Sequence, residues 1–363
     1  MDFGIYLYAL GTFWSTAAFN VGLILGLLGL IIQSLVRREK IFWQSSLNKG
    51  ILLFFAAGFL SLLYAVNPGE VLGELKEYTL VFAAYYMFLN FFAYQPNIVR
   101  TEKLIFFSAS LAAVYGIIQH FMGMERVIGT LNYMTFAELM MIIALISFDY
   151  CLKAKRVSDK RIYALVFFLT AAALLFTMTR AAWIGFLAAL ALYIFCYQRK
   201  KLIWLMAAVL LIVFLVPGIS GRVQSISDLQ MQSNAERLKI WTSTAEMVKD
   251  YPLTGIGLGN FPERYQQEYI LDSAKERNLR HAHSSYLNFL AETGIIGLLC
   301  FLFLLCLMLK EGWLCRKKNA VFFALLAFAV QGLVEFNFAD DKTLLLLLLF
   351  LAAGDCQERR GNK

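Results

Sequence analysis

Apolar runs long enough to cross a bilayer follow one another through nearly the whole chain, interrupted by a single long polar stretch at residues 233–297. That pattern leaves few folds open. A segment inside lipid must satisfy its backbone polar groups internally, so repeated apolar runs of this kind become helices packed side by side. The chain is 60% hydrophobic and only 16% charged, against about 25% charged in soluble domains. The expected class is therefore an all-α polytopic membrane protein.

The run from Phe3 to Val36 is long for one span and short for two. It reads as two helices with a break at Asn20 and Gly22, the first tilted or partly re-entrant. Further spans are expected at 50–66, 78–94, 104–121, 132–151, 162–178, 181–197, 202–217, 285–309, 320–338 and 342–355, about twelve transmembrane helices in all. A net charge of +8 would suit nucleic acid, but the basic residues fall in short clusters between apolar runs, which is a topology signal. Alternate linkers, around Arg37, Arg100, 153–161, 199–201, 310–318 and 359–363, carry the excess. Both termini are thus expected in the cytoplasm. Residues 218–283 become one large extracytoplasmic loop between spans nine and ten, inserted in a single membrane domain of 1–363. Met1-Asp2-Phe3 lacks a basic leader region, so no cleavable signal peptide is expected. None of the six cysteines has metal-finger spacing.

Within the loop, Ser233-Asn234-Ala235-Glu236 has the form of a capping box. Leu238, Trp241, Ala245 and Val248 then recur at helical spacing, predicting a short amphipathic helix to Asp250 with Trp241 as its anchor. Arg237 falls in the predicted first turn, where the helix dipole disfavours a cation; it is either a solvated surface residue or an anion ligand. Gly255, Gly257 and Gly259 alternate without a preceding strand or a lysine, so they do not form a nucleotide phosphate loop. They suit a tight turn, with backbone amides near a ligand as the sharper reading.

His281 and His283 stand just before the next apolar run, and either suits a general base near neutral pH. Two histidines two apart raise a metal site, but no carboxylate cluster completes one in the sequence, so neither metal nor cofactor is expected. Ser285, Asn288 and Glu292 continue the stripe, with Glu292 roughly 13 Å down the helix from His283. An intramembrane carboxylate is costly unless it faces a cavity or pairs with another helix, and both remain open. Arg180 sits at the turn between two spans, either snorkelling to headgroups or recognising phosphate. Arg222, where the loop opens, and Arg126, on an external linker, are further cations on the same side.

Several of these residues together resemble the O-antigen ligase and O-antigen polymerase superfamily. His283-Ser284 followed nine residues later by Gly294-Ile295-Ile296-Gly297 is similar to the ligase pattern, joined by Arg237 and Trp241, by the run 251–261 and by Thr179-Arg180. The resemblance covers the second half of the chain. It implies a glycosyltransferase type C-like membrane fold acting at the outer face of the bacterial inner membrane, without metal. It also implies an undecaprenyl-pyrophosphate-linked glycan as donor, Arg180 and Arg237 as pyrophosphate ligands, and His283 as the base for inverting transfer to an acceptor hydroxyl such as lipid A-core. His281 can share or exchange that role. A polymerase joining lipid-linked repeat units, a protein O-glycosyltransferase and a lipid-linked oligosaccharide flippase are the alternatives. In the first half only Gly129-Thr130-Leu131-Asn132 gives a faint echo, so acceptor specificity does not carry over.

Overall fold

The structure, a computed structural model, describes residues 1–38, 40–94, 98–197, 220–222, 228, 231–314 and 319–361. The expected ninth span at 202–217 and most of the loop's opening lie outside the described residues. The described residues are helical, with no strand among them: α1 (Asp2–Gly11), α2 (Thr16–Arg37), α3 (Asn48–Leu60), α4 (Pro68–Tyr94), α5 (Ile98–Phe121), α6 (Tyr133–Lys153), α7 (Val157–Phe176), α8 (Arg180–Tyr197), α9 (Gln232–Asp250), α10 (Phe261–Arg264), α11 (Ser285–Leu314), α12 (Asn319–Gln331) and α13 (Asp341–Gly361). Five of these, α2, α5, α6, α8 and α11, are long and apolar enough to cross a membrane.

The centre of the bundle is α6 and α13. Phe136 to Ile146 and Leu344 to Ala353 are almost completely buried, while α2 leaves Val21, Ile24, Leu28, Ile31, Ile32 and Leu35 exposed. An apolar helix buried all round is a core helix, and one with an apolar outer face suits lipid. The first helical break is not at Asn20 and Gly22. It falls at residues 12–15, where Ser15 caps α2 by accepting from the Ala18 amide at 3.3 Å. Gly22 instead lets α1 and α2 touch backbone to backbone, because a Cβ there would stand 2.4 Å from the Tyr8 nitrogen. With Gly26 four residues on, it forms the small-residue groove of a tight membrane helix pair. At ten residues α1 is about 15 Å long, half of a bilayer core.

The span expected at 320–338 also ends early. Helix α12 stops at Gln331, and residues 332–340 form a connection to α13 that folds over the start of α11. Ser285 fixes it there: its amide donates to Gly332 O at 2.8 Å and Glu335 O at 3.1 Å, and its hydroxyl donates to Asn337 Oδ1 at 3.0 Å.

A splice joins the glycine run to α11. Gly294 interrupts the helix with φ 65° and ψ −170°, a conformation open essentially only to glycine. The helix bonds that Ile295 and Ile296 would make to Ala291 and Glu292 are absent, and segment 252–257 replaces them. Ile295 N donates to Pro252 O at 2.9 Å and Ile296 N to Leu253 O at 3.3 Å, while Ile256 N donates to Ala291 O at 3.0 Å and Gly257 N to Glu292 O at 2.9 Å. Four backbone groups exposed by the break are thereby satisfied, as a buried kink requires. The approach leaves no room for side chains: a Cβ on Gly294 would lie 2.2 Å from Leu253 O, and one on Gly255 would lie 2.3 Å from the Glu292 carbonyl carbon. The amides of Ile256 and Gly257 are spent on α11, so the ligand reading of the glycine run gives way to this one. Above the splice, Ile240 and Met247 of α9 pack with Ile256, Phe261, Tyr265 and Ala282 in a small core of their own.

Candidate active site

The turn between α7 and α8 delivers Arg180. Thr177 donates its hydroxyl to Leu174 O at 2.7 Å and accepts the Thr179 amide at 3.3 Å, Met178 takes a left-handed φ of 53°, and Trp183 Nε1 ties the turn to Leu174 O at 3.1 Å. A positive φ is uncommon outside glycine and costs energy, so it persists where the surroundings enforce it. The Arg180 guanidinium then reaches α9, donating to Ser233 Oγ at 3.0 Å and Asn234 Oδ1 at 3.1 Å.

Ser233 and Asn234 thus hold an arginine, and the capping box read from the sequence does not form. Helix α9 begins two residues earlier, at Gln232, with no side-chain cap. The Glu236 carboxylate accepts instead from the Lys275 amide at 2.8 Å, the Glu276 amide at 3.3 Å and Lys239 Nζ at 2.8 Å. The buried face also turns from the expected one: Glu236, Ile240, Ser243, Thr244 and Met247 face inward, Ala245 is exposed and Leu238 is 44% exposed. Trp241 anchors α9 to the histidine segment by donating Nε1 to Ala282 O at 3.0 Å. Arg237 lies in the second turn of α9, past the reach of the helix end. Its charge is answered by a carboxylate.

That carboxylate is Glu335, in the connection after α12, with its side chain 4% exposed. Arg237 Nη2 donates to Glu335 Oε2 at 2.6 Å, and the other oxygen, Oε1, stands 3.1 Å from His283 Nδ1. An ionised carboxylate only accepts, so this contact places the imidazole proton on Nδ1 and leaves Nε2 with a free lone pair. His283 itself has φ 50°, a second strained residue beside the arginines. His281 packs edge to face on His283 with ring centres 4.5 Å apart, and its Nδ1 accepts the His283 amide at 3.3 Å. Burial first, and then the neighbouring His283, push the His281 pKa down to about 4. At neutral pH His281 is therefore an uncharged acceptor that shapes the segment, whereas His283 carries the carboxylate partner.

Arg180 and Arg237 line one cavity of about 180 Å³ together with Asn234, Trp241 and Val334. Arg126 and Arg222 also lie near enough to repel Arg180. Arg126 is braced on the same turn, with Nε 3.5 Å from Thr177 O and its guanidinium 3.7 Å above the Tyr133 ring. Arg180 thus has three further guanidiniums near it, and a carboxylate joins one of these to a histidine, a set of groups able to hold an anion beside an imidazole.

The other expected site residues are placed elsewhere. Asn288, fully buried, accepts the Ala282 amide at 3.0 Å and so holds the segment leading into His283. Glu292 accepts the Phe261 amide at 3.3 Å beneath the glycine run. Among the described residues no group of three or more His, Cys, Asp or Glu side chains converges as metal ligands would.

Glu335 was not singled out from the sequence, although the signal was there. In Val334-Glu335-Phe336-Asn337-Phe338 a carboxylate interrupts an apolar stretch, and the cost of an intramembrane charge that drew attention to Glu292 applies to it equally.

Comparison with known proteins bears on the same region. Residues 165–302 match the family model described as O-Antigen ligase, which bears out the resemblance drawn from the motifs. A ComP-specific O-oligosaccharyltransferase of Acinetobacter baylyi (strain ATCC 33305 / BD413 / ADP1) is 24% identical over 200 residues, covering 52% of this chain and 36% of that protein. The chain thus spans about a third of the length of the curated relative it matches.

Proposed function

With the match of residues 165–302 to the O-antigen ligase family model as premise, we propose that this membrane protein transfers a glycan from undecaprenyl pyrophosphate to an acceptor hydroxyl. Arg180 and Arg237 hold the donor pyrophosphate, with Arg126 and Arg222 adding positive charge around it. His283 Nε2 takes the proton from the acceptor hydroxyl as its oxygen attacks the anomeric carbon, and the pyrophosphate departs into the arginines with inversion. Glu335 keeps the proton on Nδ1 and holds the imidazole in place, the orienting role that a carboxylate plays beside a catalytic histidine elsewhere. The observation that carries this reading is Glu335 bridging Arg237 and His283 at the edge of the cavity that Arg180 and Arg237 share.

The side of action follows from charge. The turn after α6, with Lys153, Lys155 and Arg156, lies at the opposite end of α7 from Thr177 and Arg180. Retention of basic linkers in the cytoplasm favours the outer face of the cytoplasmic membrane for the arginine cavity and the inside for the C-terminus. Transfer of a whole oligosaccharide is favoured over polymerisation by the oligosaccharyltransferase name of the relative, over the part that matches.

The test is purified protein in detergent with a synthetic undecaprenyl-pyrophosphate glycan, offered lipid A-core, a second lipid-linked repeat unit or a serine-bearing peptide. Transfer to one of them is expected, and its identity separates ligase, polymerase and protein O-glycosyltransferase. His283→Ala should lower turnover by about 10²–10⁴-fold, the usual worth of a general base, with donor binding retained. Full turnover in that variant would remove the base assignment. Lipid translocation without transfer would favour a flippase.

A further inference from the structure

On the far side of the histidines lies a second, larger cavity of about 430 Å³, within the range of small-ligand sites. Its wall is of opposite character. Helix α4 contributes Glu70, Glu74 and Tyr78, helix α11 contributes Glu292, and Asn278, Arg280 and Phe336 are among the other lining residues. One short segment of chain lines both cavities. Val334 lines the arginine cavity, Glu335 bridges Arg237 and His283, and Phe336 lines the carboxylate cavity with its ring 5.5 Å from that of His281. Glu335, which holds His283, is thus flanked in the chain by a residue of the cationic chamber and a residue of the acidic one.

The acidic chamber repels phosphate, so it does not extend the pyrophosphate site. Nor do its carboxylates gather as ligands on a metal ion among the described residues. A purely cationic occupant is disfavoured by Arg280, which lines the same wall. One group asks for a ligand directly: the Tyr78 hydroxyl is buried, with the residue 4% exposed, lines the cavity and has no hydrogen-bond partner. A buried phenol left unpaired costs free energy, which a polar ligand would recover. Carboxyl, phenol and amide groups that donate and accept, a guanidinium and an apolar ring are the groups that bind a sugar, whose many hydroxyls donate and accept around an apolar ring face.

We infer that this cavity seats the sugar rings of one glycan partner, with the reacting end of that glycan leading out past Glu335 toward His283 and the arginine cavity. The assignment rests on the proposed transfer reaction and names the carbohydrate side of it. The sugar belongs either to the acceptor or to the first residues of the donor glycan, and the experiment tells them apart.

Four probes are titrated into the purified full-length chain by calorimetry: undecaprenyl pyrophosphate without sugar, the same lipid bearing its glycan, the free repeat-unit oligosaccharide, and free lipid A-core oligosaccharide. Tyr78→Phe removes only an unpartnered hydroxyl and should melt with the wild type. It is expected to weaken one sugar probe about fivefold and Glu74→Gln about tenfold, the scale of one neutral and one charge-assisted hydrogen bond. Undecaprenyl pyrophosphate binding should stay within about twofold. Weakening of the glycan-bearing lipid assigns the seat to the donor, and weakening of free lipid A-core oligosaccharide, or of the free repeat unit with the glycan-bearing lipid unchanged, assigns it to the acceptor. If the wild type binds no sugar probe, or both variants bind every sugar probe unchanged, the seat is refuted. Failure of Arg237→Ala to weaken sugar-free undecaprenyl pyrophosphate would instead refute the underlying transfer reading, and the sugar titrations would still decide the seat.

Discussion

Two regions fasten the polar segment to the helical bundle, by different means. At 252–261 the attachment is backbone on backbone: segment 252–257 makes four bonds in place of helix bonds around Gly294, and Glu292 holds the Phe261 amide. Around Arg180 and Arg237 the attachment is side chain on side chain, through Ser233, Asn234, Glu335 and His283. Backbone splices tolerate almost no change in position, whereas arginine and carboxylate pairs can exchange partners when an anion arrives. The first region is framework and the second is where a ligand can compete. Substitutions should separate the two cleanly, with stability lost in one and chemistry in the other.

The largest effect is expected at the splice. Gly294→Ala forces a Cβ to 2.2 Å from Leu253 O in a backbone conformation that only glycine adopts freely. A loss of about 4 kcal/mol, at the severe end for a point change, should appear as a sharp fall in folded yield and in the detergent melting temperature. Near-wild-type melting would show that the splice is dispensable, and the contrast between the two regions would fail.

Next comes Glu335→Gln. The neutral amide has nearly the same shape, so the fold should hold, but it no longer fixes the His283 proton on Nδ1 or occupies Arg237 as an anion. Turnover should fall about 10²-fold while donor affinity stays equal or improves, because Arg237 is released toward phosphate. That split is what a purely structural carboxylate would not produce. Loss of donor binding with turnover intact would reverse the assignment. Arg180→Ala is expected to act oppositely and more mildly, weakening donor binding about tenfold, or 1.4 kcal/mol, with melting unchanged.

The contrast also explains what could be read in advance. Helix positions followed from apolar run length, because lipid allows little else. The turn at Thr179-Arg180 and the segment at His281 to Ser284 were visible because polar residues stand out against apolar neighbours. The glycine run was equally visible, but its use was not: alternating glycines announce close approach without naming the partner, and Gly294 lies 35 or more residues away. Ser233 to Glu236 satisfied a local capping rule that long-range partners overrode, Arg180 taking the serine and the 275–276 amides taking the glutamate. Glu335 was hidden by averaging, one carboxylate inside a stretch whose mean hydropathy still reads as a span. Local pattern reported the elements, and pairing across the bundle decided what they do.

The smallest effect sharpens the division within the histidine pair. His281 has its pKa pushed down to about 4 from an ordinary 6.5 by burial and by His283. Its folded form therefore resists the proton that the unfolded chain accepts. The stabilisation is fully present above about pH 6.5 and is lost progressively as pH falls from there toward 4. Since the side chain is only partly buried, the loss at pH 5 is on the order of 1 kcal/mol, a melting shift of a few degrees at most. In His281→Asn the amide oxygen can still accept the His283 amide but nothing titrates, so the wild type should lose more melting temperature than the variant between pH 7 and pH 5. Turnover at pH 7.5 should fall less than about tenfold, since Nε2 of His283 and its contact with Glu335 are untouched. A collapse in turnover comparable with that of His283→Ala would move the base to His281, and equal acid sensitivity in both proteins would show that His281 is not held neutral by the fold.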